Sequence, residues 1–155
     1  MKTPIVERLF ISRQPGGTQQ ECERIQVECE HGIVGDRHFG RNDWPGQNLT
    51  LVEAEEIERF CAEFGRPTDL AMTRRNLVTR GVRLNTLVGR TFTIGSVTLR
   101  GIETCEPCSS LGRALADAAL PVAAVVRRWT GCGGLRATVI HGGEIAAGDT
   151  LVVAT

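Results

Sequence analysis

Short β-patterned segments closed off by glycine constrain this chain more than any other feature. Arg90-Thr91-Phe92-Thr93-Ile94 and Val97-Thr98-Leu99-Arg100-Gly101-Ile102 flank the dipeptide Gly95-Ser96. Two β-rich runs around a two-residue glycine turn predict a hairpin, because such a turn needs a positive φ that glycine adopts freely. The same punctuation recurs along the chain. Pro4-Ile5-Val6 to Phe10-Ile11-Ser12 predicts a first strand, with a turn at Pro15-Gly16-Gly17, and Arg24-Ile25-Gln26-Val27-Glu28 alternates polar and apolar residues as a half-buried strand does. Arg136-Ala137-Thr138-Val139-Ile140 and Thr150-Leu151-Val152-Val153 predict late strands around turns at Gly142-Gly143 and Gly148-Asp149.

Helices are fewer. Leu49-Thr50-Leu51-Val52 predicts a strand that runs directly into a helix, on which Ala54, Ile57, Phe60, Cys61 and Phe64 recur at helical spacing. Gly65 is the expected left-handed stop, with Pro67 just beyond. Ser109 is the expected cap of a second helix running through Ala119 and broken by Pro121, and Val122 to Trp129 suits either helix or strand. Many short strands with glycine turns and two or three helices predict a mainly β fold, a closed β-barrel with a few short helices. No linker or repeat divides the 155 residues, so residues 1–155 are read as a single domain.

Charge and hydropathy exclude several function classes. Lys plus Arg equals Asp plus Glu at 18 each, a balance unsuited to general nucleic-acid binding, which needs surplus positive charge to displace counterions. No apolar run approaches the ~20 residues that cross a bilayer. Met1-Lys2-Thr3-Pro4-Ile5 lacks the apolar core of a targeting signal, which makes a cytoplasmic location and no membrane partner the expectation. In that compartment the six cysteines, Cys22, Cys29, Cys61, Cys105, Cys108 and Cys132, are expected mostly as free thiols.

The segment Thr104-Cys105-Glu106-Pro107-Cys108 holds the chemistry. Two cysteines between a strand and a helix admit four readings. One is a reactive thiolate favoured by the helix dipole. A second is a thioredoxin-type redox pair, for which the rest of the chain lacks the alternating strand–helix pattern. A third is zinc, with Cys132 and His141 as the added ligands, although no second CxxC or paired histidines are present. The fourth is a loop whose cysteines merely pack. Cys61, on the apolar stripe of the first helix, is read as core. His31 and His141 suit surface or structural roles, and His38 has a better claim because it adjoins Gly35-Asp36-Arg37. There is no GxSxG, phosphate loop, GxGxxG after a strand, or HExxH.

Several landmarks stand in order. They are Gly35-Asp36-Arg37-His38, Asn48-Leu49-Thr50-Leu51-Val52-Glu53, Arg74-Arg75-Asn76-Leu77-Val78-Thr79-Arg80-Gly81, Leu87-Val88-Gly89, Ile94-Gly95, Glu106-Pro107-Cys108, Gly134-Leu135-Arg136-Ala137-Thr138-Val139-Ile140, Gly142-Gly143-Glu144-Ile145 and Gly148-Asp149. Together they resemble the MOSC family, the molybdenum-cofactor sulfurase C-terminal domain, from about residue 25 to the C-terminus. The resemblance implies a MOSC-type barrel, here as a stand-alone domain, and one key cysteine at Cys108. In that family the cysteine is proposed to carry sulfur as a persulfide from a pyridoxal-phosphate cysteine desulfurase, or it ligates molybdenum in enzymes that bind the molybdenum cofactor (molybdopterin). Arg74 and Asn76 match positions near the pterin cofactor, and Asp36 and Arg37 match another segment that lines the pocket, with an internal ion pair at a turn as their alternative role. Cys108 is then a metal ligand only if the cofactor binds.

The resemblance also exposes departures. Relatives often carry Arg-Gln where this chain has Gln47-Asn48, so one positive charge is missing. The β-barrel domain that precedes the larger cofactor-binding members is not in this sequence, nor is a fused desulfurase. Cys105 and Cys132 are not required by the pattern and suit a resolving thiol or packing. Three expectations follow in order: a sulfur carrier or sulfurtransferase, a molybdenum-cofactor oxidoreductase acting on N-hydroxylated compounds, and a non-catalytic barrel for a small anion or partner.

Overall fold

The protein is described by a computed structural model covering residues 3–155. Met1 and Lys2, the start of the segment read for a targeting signal, lie outside the described residues. The chain runs β1 (Ile5–Ile11), β2 (Gln20–Cys22), β3 (Arg24–Glu28), β4 (Gly32–Ile33), β5 (Thr50–Glu53), α1 (Ala54–Glu63), β6 (Leu77–Arg80), a 3₁₀ turn (Leu84–Leu87), β7 (Thr91–Ile94), β8 (Val97–Thr104), α2 (Ser109–Leu115), α3 (Val122–Trp129), β9 (Leu135–His141), β10 (Gly143–Ala146) and β11 (Leu151–Val153). Among the described residues no helix is long and apolar enough to cross a membrane.

Eight strands form one sheet in the order β11-β7-β8-β9-β5-β6-β1-β2, and β10-β3-β4 form a second. Antiparallel pairing dominates; β5 and β6 are parallel, aligned as Leu51 with Leu77 and Val52 with Val78. Parallel neighbours need a crossover, and α1 supplies it. Alternation along these central strands sends residues to two cores. Leu9, Leu51 and Leu77 join a core with Phe92, Leu99 and Leu135, while their chain neighbours Phe10, Val52 and Val78 meet the helices through Ile57, Phe60, Val125 and Trp129. Burial on both faces explains why the successive residues Leu51 and Val52 of β5 are both apolar.

The closed barrel expected from the sequence does not form. The sheet curls until β11 approaches β1, where Val6 N–H donates to Asp149 O at 2.9 Å and Leu151 N–H donates to Pro4 O at 2.9 Å. That contact amounts to one bridge, Ile5 with Thr150. Closure stops there because Leu9–Ile11 spend the same edge of β1 on β2.

The predicted hairpin is present, with Ile94 opposite Val97 and Gly95 at φ +56°. Helix α1 buries Ala54, Ile57, Phe60 and Cys61 as the spacing requires, and Gly65 ends it at φ +63°. Gly142-Gly143, expected as a turn, instead leads directly into β10, whose Gly143 pairs with Val27. Strand β2 escaped the sequence reading. Helix α2 is shorter than expected, because Ala116 is extended and the Asp117 carboxylate accepts from the N–H groups of Ala119 and Leu120, both at 2.8 Å. This turn redirects the chain before Pro121, and Val122–Trp129 resolves as helix.

Candidate functional site: a cysteine on an arginine-lined cavity

Strand β8 delivers the chain to Cys105, whose N–H donates to Gly134 O at 2.7 Å. That bond draws Cys105 inward to 1% exposure, whereas Cys108, three residues on, is exposed. Glu106 fixes the loop between them. It accepts from Thr104 Oγ1 at 2.9 Å and from Gly131 N–H at 3.3 Å. Cys108, rather than the expected Ser109, is the N-cap of α2, and its carbonyl accepts from Gly112 N–H at 3.0 Å.

The Cys108 side chain forms no regular capping hydrogen bond. Partial burial pushes its pKa up, but the N–H groups of Leu111 and Ser110, the Ser110 hydroxyl and the charge on Arg75 outweigh it. The net result lies below the ordinary thiol range, which favours the nucleophilic thiolate. Cys132 goes the other way. It is half-buried against the carbonyls of Arg128 and Trp129, and burial and the Glu56 carboxylate push its pKa up.

Cys108 opens onto a cavity of about 460 Å³ that it shares with Arg37, Arg74, Arg75, Arg113 and Arg136. His38 and Ser110 also line it, and among the described residues no aspartate or glutamate does. Burial lowers the pKa of Arg37; Asp36 opposes that, and the like charges of Arg74 and Arg75 add to it. His38 is lowered by burial and then by Arg37, leaving it neutral at pH 7. Guanidinium groups crowded in this way are positioned to receive an anion.

The arginines reach the cavity from four places: Arg37 from the loop after β4, Arg74 and Arg75 from the segment before β6, Arg113 from α2 and Arg136 from β9. Arg74 sits at φ +61°, a left-handed conformation unusual for a non-glycine residue, and its guanidinium donates to Gly17 O at 2.7 Å and Ser12 Oγ at 3.3 Å. Its own carbonyl accepts from Arg37 Nη2 at 3.3 Å. Arg75 donates from Nε to Gly133 O at 3.1 Å, and its Nη2 is buried with no hydrogen-bond partner. Arg113 projects from α2 and is exposed.

Of the residues singled out in the sequence, the structure brings Cys108, Arg37 and Arg74 together on the cavity and leaves Asp36 and Asn76 out of its lining. Asp36 is a hub beneath it, accepting from Ser12 N–H at 3.0 Å, Arg37 Nη1 at 3.3 Å and His38 N–H at 3.2 Å. Asn76 is 1% exposed; its Oδ1 accepts from Thr50 N–H and Oγ1, both at 3.2 Å, and its Nδ2 donates to Phe10 O at 3.1 Å. Both carry the frame that holds the arginines. Arg75, Arg113 and Arg136 were not assigned to the site in the sequence reading. Arg75 and Arg136 lay within the ordered landmarks, and nothing local marked Arg113.

Cys105 is buried and cannot meet a partner's disulfide, and all six cysteines are free. Among the described residues no group of three or more His, Cys, Asp and Glu side chains could hold a metal ion.

Fold and site define a class: a small, mainly β protein with an exposed cysteine on the rim of a cationic cavity. The chain belongs to the MOSC domain family, whose model matches residues 34–152. That family is linked to molybdenum-cofactor sulfurase and sulfur-carrier function. Among solved structures, YuaD of Bacillus subtilis superposes with a TM-score of 0.84 at 21% identity, covering 98% of this chain and 96% of that one. YiiM of Geobacillus stearothermophilus superposes with a TM-score of 0.75 at 16% identity over 98% of this chain and 75% of that one. YiiM of Escherichia coli gives 0.65 at 21% identity over 96% and 70%. Identities this low speak to the fold alone. Among curated proteins, none matches the chain.

Proposed function

We propose that the protein is a sulfur carrier in which the Cys108 thiolate accepts and delivers sulfane sulfur. The observation that carries this reading is the exposed Cys108, with its lowered pKa, on a cavity lined by arginines and free of carboxylates. In the loading step the Cys108 thiolate attacks the outer sulfur of a donor persulfide, such as that of a pyridoxal-phosphate cysteine desulfurase. The S–S bond on Cys108 forms as the donor's bond breaks, and the donor cysteine leaves as thiolate. Sulfane sulfur changes hands without net oxidation. Exposure of Cys108 lets a partner's cysteine reach it, and the arginines stabilise the persulfide anion that results.

Incubation with cysteine and a desulfurase is expected to add one sulfur mass to the wild-type chain and none to Cys108→Ala. Full labelling of Cys108→Ala would overturn this assignment.

The molybdenum cofactor is a second reading, and the residues fit it. A soft thiolate suits molybdenum, the arginines suit the phosphate of the pterin, and the unpartnered Arg75 Nη2 offers a donor. Cys108 would ligate the metal, with Arg37, Arg74, Arg75, Arg113 and Arg136 holding the anionic group. Bound there, the cofactor would supply the redox chemistry for reducing N-hydroxylated compounds. Asp36 and Asn76 would serve by positioning, since their polar atoms are spent on the frame. Molybdenum retained after expression in a cofactor-competent host supports this second reading, and metal-free protein from such a host counts against it.

A further inference from the structure

The lining of the Cys108 cavity carries more charge than a carrier needs if it receives sulfur only from a protein cysteine. Loading from a protein persulfide needs an exposed thiolate and cationic neighbours at the sulfur for the product anion, which does not account for every arginine of the lining. Here five guanidinium groups from four segments of the chain converge on about 460 Å³ beside the sulfur. Among the described residues Arg113 makes no hydrogen bond or ion pair, Arg136 meets Glu103 only at 4.0 Å, and Arg75 keeps a buried Nη2 without a partner. No Phe, Trp or Leu side chain lines the cavity to grip an apolar or aromatic body. The unspent donors call for a compact, highly charged anion.

We propose that this cavity binds a small sulfur oxyanion and that Cys108 exchanges sulfane sulfur with it, taking sulfur from thiosulfate and returning it to sulfite. The inference rests on Cys108 being a sulfane-sulfur carrier and names a substrate class for that site. In the forward step the Cys108 thiolate attacks the outer sulfur of thiosulfate. The S–S bond of thiosulfate breaks as the bond to Cys108 forms, and sulfite leaves with the electron pair. One thiolate and one dianion give one persulfide anion and one dianion, so charge balances and neither a proton nor an oxidant is required. The reverse step regenerates the thiolate. Water alone opposes this reaction, since an anion must approach an anion; the guanidinium groups offset that repulsion. Arg113 and Arg136 are the expected contacts of the oxyanion, while the charge of Arg75 acts on the Cys108 thiolate.

The reduced full-length chain is mixed with thiosulfate, while intact mass and sulfite release are followed. A parallel sample receives cysteine and a desulfurase. The expected result is gain of one sulfur from both donors, with matching sulfite release only from thiosulfate. Arg113→Glu, at an exposed position where folding is not at stake, is expected to cut kcat/KM for thiosulfate by roughly tenfold or more, and by a larger factor than it slows desulfurase loading. Arg113→Lys is expected to retain most of it. Loading by desulfurase but not by thiosulfate overturns the oxyanion proposal and leaves the carrier reading intact. Loading by neither overturns both. Thiosulfate loading equal in wild type, Arg113→Glu and Arg136→Glu overturns the role of the arginines.

Discussion

Arg75 Nε donates to the carbonyl of Gly133 at 3.1 Å, and this bond joins the segment before β6 to the loop that covers Cys105. The same arginine lowers the pKa of Cys108 through its charge. One side chain therefore both braces the cysteine loop and tunes its thiol.

Cys108 alkylation rates should titrate with an inflection at lower pH than that of an ordinary thiol. Burial raises this pKa, while the Leu111 and Ser110 amides, the Ser110 hydroxyl and Arg75 lower it further than burial raises it. Replacing Arg75 with Gln removes a cation that favours the thiolate. The inflection should then move to higher pH, and the rate at neutral pH should fall. An unmoved profile for Arg75→Gln, with the fold intact by circular dichroism, would remove Arg75 from the account.

Thiol labelling of the native chain should separate the two cysteines of the loop. Cys108 is exposed and should react with iodoacetamide quickly, whereas Cys105 at 1% exposure should react only after denaturation. Peptide mapping after a brief pulse checks this, and prompt native labelling of Cys105 contradicts the placement.

Gly133→Ala tests the bracing of the loop without touching the sulfur. A Cβ there would run into the carbonyl oxygen of Cys105 and crowd Pro107 Cδ at 3.4 Å. Backbone must shift to admit it, at about 1–3 kcal/mol. The expected variant is folded but less stable in urea, with slower Cys108 loading because the loop and the Arg75 anchor have moved together.

Asn76→Ala should act on stability rather than on binding. The substitution leaves Phe10 O and Thr50 N–H buried without their partner, at a cost of about 2–3 kcal/mol. Chemical denaturation measures the loss. Sulfur loading per folded molecule should stay near wild type; a selective collapse of loading at unchanged stability would return Asn76 to the binding surface.

The sequence alone determined the elements whose signal is local. Gly95-Ser96 set a hairpin through one positive φ, and the spacing of Ala54, Ile57, Phe60 and Cys61 set a helix. It overreached on closure, since whether β11 completes a ladder with β1 depends on the competing claim of β2 for the same edge. Which landmark residues face the cavity was not legible either, because a landmark marks a position and not the direction its side chain takes. The arginine set was settled only in three dimensions. Arg37, Arg75, Arg113 and Arg136 lie far apart along a chain of zero formal charge, and the curl of one sheet together with the docking of α2 gathers them around one sulfur. Composition averages charge over the whole surface, whereas the field at Cys108 depends on which charges the fold brings near it.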